Sequence, residues 1–147
     1  MQKNIFIENK GQWDSDVLYL AEVEGMNIWI TRTGIVYDVF EFKSDKYVSK
    51  EKNRQSRTSS LIKSYVGGAV VKMEFEGSIS GNHLGIGKEN GYYNYFIGND
   101  NKKWVDNAEL FKKVKVNDIY EGIDVRYYFD EGVVRFDILI KPGSDPD

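Results

Sequence analysis

Residues 124–141 alternate regularly enough to dictate a fold class. Val125, Tyr127 and Phe129 alternate with Asp124, Arg126, Tyr128 and Asp130; Phe136, Ile138 and Ile140 alternate with Arg135, Asp137 and Lys141, although Leu139 breaks the polar side. A period of two sends the two sets to opposite faces of an extended strand. Asp130-Glu131-Gly132 joins the runs by a short, Gly-containing connection. A β-hairpin is expected, with its apolar face, Phe136 included, in the core.

The same period recurs upstream. Val71, Met73 and Phe75 alternate with Lys72, Glu74 and Glu76, the pattern of a half-buried strand. Residues 17–23 and 26–32, joined by Glu24-Gly25, predict a second hairpin, and Thr33-Gly34 turns the chain into a strand at 35–42. Apolar residues occupy both faces of these strands, which predicts cover on both sides. Short connections imply a β-meander. Helix signals are poor; a turn at 116–120 capped by Asn117 is the best local candidate. Residues 43–66 are polar, centred on Ser56-Arg57-Thr58-Ser59-Ser60, and predict a long loop, flexible over 43–64. The expected architecture is a single all-β domain over residues 1–147, antiparallel and β-sandwich-like with a long polar loop, or the first portion of a larger domain.

A chain of 147 residues with 41% hydrophobic and 14% aromatic residues can bury a sizeable core. A net charge of −3 argues against a nucleic-acid reader, which carries a basic face. The chain lacks cysteine, which removes disulfides, thiolate metal sites and Cys nucleophiles together. No apolar run approaches the roughly 18 residues of a transmembrane helix, and no secretory h-region follows Met1. Pro142-Gly143-Ser144-Asp145-Pro146 reads as a turn or linker.

Several words, in their order and spacing, resemble one family. They are Phe6-Ile7-Glu8-Asn9-Lys10-Gly11-Gln12, Tyr93-Asn94-Tyr95-Phe96-Ile97-Gly98-Asn99-Asp100, Lys103-Trp104, the stretch 119–128, Phe136-Asp137 and the stretch 141–146. The chain looks like the N-terminal domain of large bacterial surface proteins with seven-bladed β-propeller-type (SBBP) repeats. In Bacteroidetes such proteins often end in a type IX secretion sorting domain. The resemblance runs from residue 6 to 146. It implies an extracellular or cell-surface location, further domains in a longer parent chain, a domain of unknown function, and no catalytic residues to carry over.

Five aromatics form the expected binding set, Trp29, Tyr92, Tyr93, Tyr95 and Trp104, because Tyr and Trp offer a sugar an apolar face and a polar edge. On a strand Tyr93 and Tyr95 share one face, with Tyr92, Asn94 and Phe96 on the other. Buried core is the stronger expectation for Tyr93 and Tyr95, running into a turn at Gly98-Asn99. Asp14, Asp16, Asn99 and Asp100 are weak candidates for Ca²⁺; turn and Asx-capping chemistry explains them at least as well. His83, the only histidine, has no second His or Cys for a zinc site and reads as an exposed loop residue. Asp124 and Asp137 are expected to pair with Arg126 or Arg135 across the hairpin. The expected function is a non-catalytic structural or interaction module of a secreted or cell-surface protein, without cofactor and without nucleic acid. Its partners would be proteins or glycans at the cell surface. The alternatives are a carbohydrate-binding module using Tyr/Trp stacking and a hydrolase fragment using paired carboxylates.

Overall fold

The computed structural model of the chain describes residues 3–44, 63–79, 81–96 and 98–144. It is antiparallel β throughout: β1 (Phe6–Glu8), β2 (Val17–Val23), β3 (Met26–Thr31), β4 (Gly34–Ser44), β5 (Lys63–Glu74), β6 (His83–Tyr95), β7 (Val105–Tyr120), β8 (Ile123–Asp130) and β9 (Val133–Ile140), with one 3₁₀ turn at Asn101–Lys103. The all-β expectation holds. The strands hydrogen-bond into one continuous sheet, in the order β5-β4-β3-β2-β1-β7-β8-β9 with β6 also on β7, and the sheet curls into a half-barrel.

β7 is the trunk of this sheet. Phe111 lies between Phe6 of β1 and Lys88 of β6; Lys113 lies between Tyr128 of β8 and Ile86 of β6. Since β6 follows one edge, β1 and β8 share the other, one after the other along the strand. The β1–β5 arm and the β8–β9 arm therefore leave the same edge of β7, and their inner faces meet. Leu18, Ile28, Ile30 and Ile35 from one arm share a core with Val114, Val125, Tyr127 and Val134 from the trunk and the other arm. Phe6 and Phe129 pack with ring centroids 5.0 Å apart, and the Tyr127 hydroxyl donates to the Gly34 carbonyl at 3.5 Å.

Local chemistry sets the turns. The β8–β9 hairpin turns at Glu131 and Gly132, both at positive φ (50° and 77°), the twist that a two-residue hairpin loop requires. Gly25, at φ 74°, turns β2 into β3.

Four expectations are corrected. Residues 116–120 are the end of β7, not a helical turn: Asp118 at φ 50° makes a bulge, and its N–H donates to the Asp124 carboxylate at 2.8 Å. His83 is exposed, as expected, but it opens β6 opposite Val116 and does not sit in a loop. The polar stretch begins later and ends earlier than expected, because Lys43 pairs with Ser64 and Ser44 with Lys63; the expected flexible loop otherwise falls on residues 45–62, outside the described residues. Phe136 is 36% exposed, because β9 is the last strand of its arm and, among the described residues, has no neighbour beyond it to cover its inner face.

Candidate functional site

The outer face of the sheet carries a second, smaller core. Ile5, Ile7, Val105, Ala108 and Leu110 are buried there, under Trp13, Tyr93 and Tyr95. Tyr93 and Tyr95 lie opposite Ala108 and Val105 and face this core; Tyr92 and Phe96 point the other way and are 57% and 60% exposed. The alternation assigned those faces. Gly98 at φ 77° begins the bend that follows.

Trp13 reaches the same place by a different device. The Asn9 side chain organises residues 9–17: its amide donates to the carbonyls of Asp14 at 2.9 Å and Val17 at 2.7 Å, while its Oδ1 accepts from Gly11 and Trp13 N–H groups. Gln12 fixes the loop a second time, donating to the Glu8 carbonyl at 2.8 Å and accepting from the Lys10 N–H at 2.7 Å. The loop is thereby folded over the sheet, and Trp13 meets Trp29 of β3 and Tyr95 of β6 edge-on, at 5.3 Å and 5.2 Å. Edge-to-face geometry is favourable packing for aromatic rings. It is not the coplanar strip of a flat stacking platform.

Beside this packing lies a cleft of ≈ 420 Å³ lined by Gln12, Trp13, Tyr95, Asn99, Asp100 and Lys103. Burial, with smaller effects from Glu22 and Tyr93, pushes the Tyr95 phenol up to about 12, so it stays protonated at neutral pH. Asp100 caps the 3₁₀ turn by accepting the Lys102 N–H at 3.1 Å. Trp104 is 44% exposed, packs edge-on against Phe96 at 6.0 Å and donates its indole N–H to the Gly98 carbonyl at 3.1 Å. Trp13, Trp29, Tyr93 and Tyr95 thus come together on one face, with Asn99 and Asp100 at the rim of the cleft. Tyr92 faces away, and Trp104 braces the adjoining loop.

The calcium candidates do not converge. Asp14 accepts the Asp16 N–H at 3.2 Å, an Asx turn, and Asp100 serves as a cap. Among the described residues no group of three or more His, Asp or Glu side chains stands close enough to hold a metal ion.

The carboxylates of the hairpin divide. Arg126 pairs with Asp137 at 2.8 Å, as expected from their register, and Arg135 pairs with Asp130 at 2.9 Å. Asp124 does neither. It is buried at 2% exposure and held by the Asp118 N–H, Lys115 at 3.3 Å and Lys141 at 3.5 Å. Burial alone would raise its pKa, but these donors outweigh it and the net shift is downward. At the start of β6 the exposed His83 shares a hydrogen bond of 3.1 Å, through Nδ1, with the hydroxyl of the buried Tyr19. Burial and then Arg32 push the imidazole down, against an opposing effect of Glu8. Sequence reasoning expected Asp124 to pair with an arginine across the hairpin and missed its burial, because it alternates as an ordinary outward polar residue; it missed Gln12 and Lys103, which gain their place only from loops.

The fold defines a β-domain built on one curled antiparallel sheet, with an inner core, an outer aromatic cluster and, among the described residues, three strands with an unpaired edge, β5, β6 and β9. A family model for a domain of unknown function, DUF7948, matches residues 6–147, and the chain belongs to that family. No curated protein and no solved structure matches the chain.

Proposed function

We propose that the domain is a non-catalytic interaction module of a secreted or cell-surface protein, and that its occupant is an extended strand of another β-segment added to the edge of β9. One observation carries this reading. Phe136, Ile138 and Ile140 lie opposite Tyr127, Val125 and Ile123, on the core face, yet are 36%, 43% and 53% exposed. An edge strand with a row of apolar side chains is a template for strand addition, in which main-chain bonds give affinity and alternate side chains give selectivity. The resemblance to SBBP-associated domains, embedded in longer β-rich surface proteins, supports the location and the kind of partner. Against the hydrolase alternative, the buried carboxylate among the described residues, Asp124, is tied up by cations and a backbone N–H.

A photo-crosslinking residue placed at Ile138 in the producing cell, with Glu121 as the control position, tests the proposal. A discrete adduct from position 138 and none from 121 is expected, on cells whose surface proteins are accessible to added protease. An absence of adduct at 138, or an adduct of twice the chain's own mass, contradicts it; the latter result would mean self-association.

A further inference from the structure

We propose that the outer-face cleft between the Trp13 loop and the Asn101–Lys103 turn is a binding site for a pyranose ring of a glycan. The inference is independent of strand addition at β9, which lies on the other arm of the sheet. The cleft's ≈ 420 Å³ falls within the roughly 300–1,000 Å³ of small-molecule sites. Its wall and rim have the two chemistries that a sugar ring needs. Trp13 and Tyr95 supply apolar aromatic surface for the C–H face of the ring. Asn99, Asp100 and Lys103 supply polar groups for its hydroxyls.

Those polar groups are available. The Asn99 amide and the Lys103 ammonium make no side-chain hydrogen bond or ion pair among the described residues, and Asp100 uses only Oδ1 for capping, which leaves Oδ2 as an acceptor. Lys103 and Asp100 do not neutralise each other, although both border the cleft. The Tyr95 hydroxyl, protonated at neutral pH, adds a donor. The aromatic walls are fixed in advance, Trp13 by the Asn9 hydrogen bonds and by Trp29, Tyr95 by its place in β6. Such pre-organisation lowers the entropy cost of binding. The remaining polar residue, Gln12, is occupied by loop hydrogen bonds and acts as structure.

A glycan array probed with the whole chain, followed by titration with cellohexaose and with hexagalacturonate under tryptophan fluorescence, tests the site. The two oligosaccharides distinguish a neutral ring from an acidic one held by Lys103. Binding is expected, with a change in tryptophan emission. Asn99→Ala and Lys103→Ala, both exposed and outside the packing, are each expected to weaken it at least tenfold at unchanged melting temperature. Trp13→Phe should keep the fold and weaken binding less than Trp13→Ala. Failure of every glycan on the array and of both oligosaccharides overturns the proposal, and so does binding that the Asn99 and Lys103 variants leave intact.

Discussion

β8 and β9 are the two halves of one hairpin, with the same alternation and the same apolar content on their inner faces. Their fates differ. Val125 and Tyr127 on β8 are each 1% exposed; their direct cross-strand partners Ile138 and Phe136 on β9 are 43% and 36% exposed. The opposite arm ends the same way. Ala21 and Ile28 are buried, Tyr37 beside them is half-buried, and Val71 on the edge strand is 55% exposed, all in one cross-strand row. Alternation therefore assigns a side chain to a face. Burial on that face falls off toward the sheet's edge, which is a property of topology, although Val134, next to the β8–β9 turn, stays in the inner core at 7% exposure.

The largest expected effect lies on the covered strand. Tyr127→Ala removes the largest of the fully buried side chains, its contact with Phe136 and its hydrogen bond to Gly34. A loss of about 3–5 kcal/mol in chemical denaturation is expected, the range for truncating a buried aromatic. A loss near that of a surface change would end the distinction between the strands.

Next comes Asp124→Asn, at about 2 kcal/mol, because a buried acceptor of charge-assisted hydrogen bonds is neutralised while Lys115 and Lys141 remain partly solvated. The pH dependence gives a sharper signature. The folded-state pKa of Asp124 lies below its unfolded value, so its contribution is fully present above the ordinary carboxylate range near 4 and is lost as pH falls through the depressed value. Wild-type stability should fall more steeply on acidification than that of Asp124→Asn. Parallel acid profiles would remove Asp124 from the account.

The smallest effects belong to the open edge. Phe136→Ala should cost about 1–2 kcal/mol, since the ring keeps contacts with Tyr127 and Phe75 but leaves a third of its surface in water. Ile138→Ala should cost under about 1 kcal/mol, as a half-exposed aliphatic. A cost for Ile138→Ala equal to that for Tyr127→Ala would show that something covers β9 in solution.

Local features were legible in the sequence. Glu131-Gly132 and Glu24-Gly25 announced their hairpins because turn chemistry is carried by adjacent residues. The faces of Tyr93 and Tyr95 followed from the period of two. Long-range features were not legible. That β1 and β8 share one edge of β7 depends on pairing between residues more than a hundred positions apart, such as Phe6 and Phe111. Trp13 joins Trp29 and Tyr95 only because the Asn9 side chain folds the intervening loop. Asp124 looks like any outward polar residue until the Asp118 bulge and the returning Lys141 close over it.

Amide hydrogen exchange along the hairpin tests the central claim most directly. Val125 to Tyr128 of β8 lie between β7 and β9, so successive amides there should all be protected. In β9 only alternate amides bond to β8, and those between them point to the uncovered edge. The account predicts uniform slow exchange over 125–128 and alternating slow and fast exchange over 133–140. Uniform protection along β9 would contradict it.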